Sequence, residues 1–223
     1  MSPLTLPRAF ILILALGLPT AAQADWTIGA ATGPFVFGNF AERTSRVING
    51  SSSGSTRSNL SASTRAGASI DVESGITDWL GVKLEGSWTR SPLRIKSSGG
   101  SGLTFDAGEV SVTSFSLPAV IHLNRHGAFR FQLEAGPSYS LYRVSPKRGG
   151  TIPLFEGTRG RWGGTAGGSV SWWLSSRVAI EGRAVDLVTT SPFRREDLAS
   201  PSVGVSIPKT HNVHTTVGIR YRF

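Results

Sequence analysis

Four histidines, His122, His126, His211 and His214, are the side chains of this chain best suited to move protons near neutral pH. A hydrolase needs one of them beside a hydroxyl nucleophile, with a further group to orient it. His211 and His214 stand three apart in a stretch of alternating residues, so they point to opposite faces and cannot share a constellation. His126 falls in a turn, Asn124 to Gly127. His214 and Thr216 share a face and have the types of a base and a nucleophile, but a polar interior position accounts for both without catalysis. No His or carboxylate cluster has ligand spacing, and the chain has no cysteine, so no metal, cofactor or disulfide is expected. The expectation is a protein that is not an enzyme.

Basic side chains are the second chemical resource. Lys147, Arg148, Arg159 and Arg161 surround a single Glu156 in one polar segment, a local basic patch suited to anionic groups. Arg194-Arg195-Glu196-Asp197 reads as a solvated charge run. The whole chain carries +9, and losing a leader that contains Arg8 and no acid leaves +8. The basic residues are not interleaved with stacking aromatics on one element, so nucleic acid is not the expected neighbour. Anionic lipid headgroups fit the charge better.

These side chains must be held by something, and the N-terminus says where. Arg8, the apolar run Ala9 to Leu18 and the small-residue site Ala22-Gln23-Ala24 read as a signal peptide over residues 1–24, cleaved before Asp25. The run is too short to cross a bilayer as a helix, which takes about twenty apolar residues. Residues 25–223 read as one domain without a linker. No later segment reaches helical spanning length free of charge or glycine, so only strands can span.

Apolar residues recur at a period of two. From Val213 the odd positions hold Val213, Thr215, Val217, Ile219, Tyr221 and Phe223, and the even ones His214, Thr216, Gly218, Arg220 and Arg222. The same separation runs through Leu60 to Glu73, Leu80 to Trp88 and Ala128 to Tyr142, with further strands at Trp26 to Thr32, Val112 to Leu123, Arg161 to Leu174 and Arg177 to Leu187. That makes eight. Polar connections near 38–59, 91–108, 144–160 and 189–208 alternate with short turns at Ser74 to Asp78, Asn124 to Gly127 and Ser175-Ser176. Strands of about 10 to 14 residues exceed the 5 to 6 usual in soluble sheets and suit tilted membrane strands of about 9 to 11. The expected fold is all-β, a closed antiparallel up-and-down transmembrane β-barrel. Pro118 and Pro137 count slightly against the strands that hold them or mark bulges. Trp26, Trp79, Trp172, Tyr142 and Tyr221 are candidates for interfacial girdles.

The polar face carries mid-strand charges of both signs: Arg65, Lys83, Arg183, Arg220 and Arg222 against Asp71, Glu73, Glu85, Glu134 and Glu181. An eight-stranded barrel is only wide enough to be filled by side chains, so these charges are expected to pair and seal the interior.

Taken together, these residues resemble the small outer-membrane β-barrel superfamily, which includes the transmembrane domain of outer-membrane protein A and related porin-like barrels. The likeness covers nearly all of residues 25–223. Its most specific element is the end, where Val217, Ile219, Tyr221 and Phe223 resemble the signal read by the barrel-assembly machinery, which implies that machinery as a transient partner. GITDWLGVKLEGSW and EAGPSYSLY are similar to pieces of such barrels. Lipid A deacylases among them carry His-x-Ser-Asn near the C-terminus, and the nearest string here, THNVHTT, lacks the serine. The expectation is therefore a monomer in the cell outer membrane, in contact with outer-membrane lipid and lipopolysaccharide, with a structural or surface-interaction role. A narrow passive pore is the alternative, and a lipid A or phospholipid-modifying enzyme the further one.

Overall fold

The computed structural model describes residues 26–49, 52–97, 103–147, 154–198 and 204–223. The leader expected over residues 1–24 lies outside the described residues. Twelve strand segments make one sheet: β1 (Trp26–Phe37), β2 (Asn39–Asn49), β3 (Ser52–Ala62), β4 (Arg65–Gly75), β5 (Leu80–Ser97), β6 (Thr104–Ser116), β7 (Ala119–His122), β8 (Phe129–Pro146), β9 (Gly157–Trp173), β10 (Val178–Thr190), β11 (Gly204–Ser206) and β12 (Lys209–Arg222). Breaks at Gly38, Ser63-Thr64, Leu117-Pro118 and Ile207-Pro208 divide four strands into two segments each, so the twelve form eight staves. Every neighbouring pair is antiparallel, and β1 pairs with both β4 and β12, closing the ring. Closure leaves no unpaired ladder to face hydrocarbon, where each orphaned backbone group would cost several kcal/mol.

Short turns gather at the end where Trp26 and Phe223 meet, the Phe223 N–H donating to the Trp26 carbonyl. Each turn is closed by its own side chain. Thr77 Oγ1 accepts from the Leu80 N–H, Ser175 Oγ from the Val178 N–H, and Asn124 bridges the Phe129 carbonyl and the Phe131 N–H beside the positive φ of Gly127. Pro118 falls at a stave break, while Pro137 is tolerated inside β8 on the outward face.

The staves are longer than the alternation alone indicates. Much of what reads as loop, within 38–59, 91–108 and 144–160, is strand: β2, most of β3, the end of β5, the start of β6 and the ends flanking 148–153. These stretches look like loops because they are rich in Ser, Thr, Gly and Arg and lack an apolar outward face.

The reason lies in what surrounds each half of a stave. In the turn-end half of β5, Leu84 and Trp88 face outward, while Lys83, Glu85, Ser87 and Thr89 are buried inside. Beyond Thr89 the chemistry exchanges sides: Arg90 and Arg94 point outward and Leu93 inward. β8 repeats this, with Phe131 and Leu133 outside Glu134, then Arg143 outside Tyr142 and Val144. In β6, Phe115 lies outside Ser114 and Ser116, and Glu109 outside Val110 and Val112. An apolar exterior suits lipid and a charged one suits water, so the turn-end half is the transmembrane part and the other half extends into water.

Exposed Trp79, Phe129, Trp172 and Phe223 ring the turn end, with Phe129 stacked on Trp172 at 6.0 Å. Trp88, Trp162 and Tyr139 stand at the other edge of the apolar band. Tyr142, expected in a girdle, is instead fully buried and points inward, because it lies past the exchange of sides.

Candidate functional site

The lumen is filled at two levels. In the transmembrane half, Asp71, Glu73, Lys83, Glu85, Glu134, Glu181, Arg183 and Arg220 form one buried cluster contributed by β4, β5, β8, β10 and β12. Arg183 grips Glu85 through two bonds of 2.5 and 2.6 Å and donates Nε to Glu134 at 2.6 Å. Lys83 Nζ donates to the other Glu134 oxygen at 2.9 Å and lies 3.8 Å from Glu73. Arg220 reaches Glu181, Asp71 and Glu73 at 2.6, 3.0 and 2.8 Å, and Thr27 Oγ1 at 2.9 Å. Isolated charges could not persist here; bidentate geometry and shared partners offset the loss of water. Gly29 is needed for this packing, since a Cβ there would lie 2.4 Å from an Asp71 carboxylate oxygen.

Two of the ten charges expected in this network lie outside it. Arg65 has the inward phase, yet it is exposed at the start of β4, directly after the Ser63-Thr64 break. Arg222 sits at the last rung of the turn end, partly exposed, with its guanidinium 4.4 Å from the Trp173 ring, a ring that Arg130 also covers at 4.3 Å. The balance is thus five acids to three bases rather than five to five. Neutral side chains and the His122 ring complete the surroundings of the carboxylates. Ser116 donates to Glu85, Ser169 and Ser171 to Glu181, and Gln132 to Glu73, while His122 Nε2 approaches Glu73 to 3.2 Å. Each occupies the inward phase of its stave, which is the signal that could have found them.

Above this level, in the water-exposed half, lies an apolar core absent from the sequence-based expectations: Phe35, Phe37, Phe40, Leu60, Leu93, Val110, Val112, Tyr142, Val144 and Phe193, with Leu154 and Phe155 against it. Phe40 sits between Tyr142 and Phe193 at ring separations of 6.1 and 5.9 Å. Tyr142 Oη bonds Thr189 Oγ1 at 2.7 Å and accepts from Asn212 at 2.9 Å, so its polar end is satisfied. The Phe35 ring occupies the space a Cβ at Gly67 would need, at 2.6 Å.

The expected basic patch is not assembled as free cations. Arg159 pairs with Asp197, donates to the Pro192 carbonyl and stacks on Phe155 at 3.8 Å; Arg161 donates to the Ser191 and Pro192 carbonyls. These two arginines tie segment 191–198 to the outer end of β9, where β10 has already ended. Burial pushes the Asp197 carboxyl up, but hydrogen bonds from Arg159 and the Arg194 N–H, with both positive charges, outweigh it and hold the group below its usual range. Lys147 is exposed and faces Asp106 at 3.4 Å. Arg148 lies outside the described residues.

The histidines disperse: His122 joins the charge cluster, His211 is exposed and bonds Asp186, and His214 is buried with its ring 3.7 Å from that of Phe35. Among the described residues no group of His, Asp or Glu could hold a metal. Val217, Ile219 and Phe223 form an exposed outward row, with Tyr221 packed against Phe223 at 5.2 Å.

No protein family and no curated protein matches the chain by sequence. Solved structures do. The outer membrane protein OprG from Pseudomonas aeruginosa aligns with a TM-score of 0.60 at 12% identity, covering 90% of this chain and 96% of that one. Outer membrane protein AlkL, solved in DMPC bilayers, aligns with a TM-score of 0.50 at 12% identity, covering 90% of each. The fold is that of the small outer-membrane β-barrels. With its apolar outer band, this chain is built as an integral outer-membrane protein of that kind.

Proposed function

We propose that the chain is a sealed outer-membrane barrel with a structural or surface-interaction role, its long-stave end presented outside the cell. The observation that carries this reading is the lumen filled twice, by paired charges within the membrane and by packed aromatic and aliphatic side chains beyond it. A water path would have to cross both levels. Outer-membrane barrels keep short turns on the periplasmic side, which orients the extension outward. Its outer face carries exposed Arg57, Arg90 and Arg143, a basic surface that suits anionic lipid of the outer leaflet. The outward row ending in Phe223 supports transient reading by the barrel-assembly machinery.

The test is reconstitution of the folded mature chain in planar bilayers. No unitary conductance in molar salt is expected; stable ohmic steps would overturn the sealed reading in favour of a narrow pore.

A further inference from the structure

The exchange of sides along β5, β6 and β8 fixes where the hydrocarbon ends, and a groove lies at that height on the outside of the barrel. It holds about 280 Å³ and is lined by Trp88, Arg90, Glu109, Ser111, Arg143 and Ser145. Register places these side chains in rows across three staves. Trp88, Thr113 and Leu141 form the lowest row, Arg90, Ser111 and Arg143 the next, and Pro92, Glu109 and Ser145 the highest. The lowest row closes the apolar band that continues down through Phe115 and Leu84. The Trp88 Nε1–H donates to Ser111 Oγ at 3.2 Å, tying the indole to the polar row above it.

Charge in the groove is unevenly used. Arg90 bonds Glu109 through Nε at 3.0 Å and again through Nη2. Arg143, exposed on the far side of Ser111, makes no ion pair among the described residues. A planar donor fork with no carboxylate partner, beside two hydroxyls and directly over an apolar wall, matches a phosphate whose lipid chains run downward.

We propose that this groove seats a phosphate of an outer-leaflet glycolipid of the lipid A type, with its acyl chains against Trp88, Phe115 and Leu141. The inference rests on the outer-membrane reading above and supplies the ligand class and the residues. The orientation selects the source: the groove lies on the long-stave side, in the leaflet where phosphorylated glucosamine lipid is the anionic component. Arg143 and Ser145 contact the phosphate from one side, and Ser111 contacts it from between Arg90 and Arg143. Arg90 is shared between phosphate and Glu109, so Glu109 weakens binding.

The experiment counts lipid bound to the full mature chain, folded in a non-ionic detergent, by native mass spectrometry against bis-phosphorylated lipid A. The same lipid stripped of phosphate and phosphatidylglycerol serve as competitors. R143Q is expected to reduce lipid A affinity about tenfold, the loss of one charge-assisted hydrogen bond. E109Q should raise affinity, and R94Q, which removes the same charge two positions outside the groove, should leave it unchanged. Equal losses in R94Q and R143Q would reduce the effect to overall charge and overturn the site. Equal competition by the dephosphorylated lipid would overturn phosphate recognition, and by phosphatidylglycerol the choice of lipid A. A heat-modifiable gel shift is measured on every variant: its absence in the wild type would sink the barrel reading itself, whereas its presence with no lipid preference sinks only this inference.

Discussion

Replacing Arg183 by Met is the sharpest probe of the lumen, because that side chain holds two carboxylates at once. Glu85 receives both of its charged hydrogen bonds from Arg183 and retains only the Ser116 hydroxyl when they are gone. Glu134 keeps Lys83 at 2.9 Å. The damage therefore concentrates on Glu85, a buried carboxylate left without a cation, for which about 3 to 5 kcal/mol is the expected loss. A second substitution, E85Q, removes the stranded charge, and the double variant should regain roughly 1 to 3 kcal/mol of the sum of the single losses. Urea titration of the barrel in lipid vesicles, followed by tryptophan fluorescence and gel shift, gives the four free energies by linear extrapolation. A loss under about 1 kcal/mol for R183M, or strict additivity with E85Q, would mean that water reaches the cluster and solvates Glu85, and the paired-charge plug would be refuted.

The outer extension should fail separately. F40A removes a fully buried ring from the apolar core, at an expected cost of about 3 to 5 kcal/mol, and hydrogen exchange should show faster amides in β2, β3 and β6 with β12 unchanged near Val217. Y142F strands the Asn212 amide and the Thr189 hydroxyl and should cost about 1 to 3 kcal/mol by urea titration. D197N should expose segment 191–198 to protease at neutral pH. In the wild type the same release comes with acid: the Asp197 carboxyl is depressed in the fold, so its contribution is complete above the ordinary value of 3.8 and is lost as pH falls through the folded value. Proteolysis of this segment that stays constant from pH 7 to pH 3 would remove Asp197 as its tether.

What could be read from the sequence follows from the physics of alternation. β12 is transparent, since lipid-facing Val217 and Ile219 and lumen-facing Arg220 differ in kind at every step. The charge cluster was legible for the same reason, except at Arg65 and Arg222, where alternation continues but the closed interior does not: one lies beside a stave break and the other at an open rim. The outer halves were not legible. A strand in water with its apolar side inward has the same period as a strand in lipid with its apolar side outward, and nothing in a period of two reports which solvent lies beyond it. Segment 52–58, all Ser, Gly, Thr and Arg, carries no alternation and owes its strand state to its β2 partner. The groove at Arg143 was hidden because its residues come from three staves and meet only through register.

The exchange of sides also explains how one register serves two solvents. Slipping β5 by one residue against its neighbours would turn Lys83 and Glu85 into hydrocarbon, at about 2 to 4 kcal/mol for a lysine at the midplane and less for a carboxylate. The same slip would drive Arg90 and Arg94 into the apolar core and Leu93 into water. Both halves thus penalise the same error by opposite chemistry, and neither needs the other's composition to do so. The height of the barrel is set likewise. Arg90, Glu109 and Arg143 cannot be drawn below the headgroups, and Leu84, Trp88 and Phe115 lose their apolar surroundings if lifted above them. The groove beside Arg143 lies where these two constraints meet, so whatever binds there reads a boundary that the strands have already fixed.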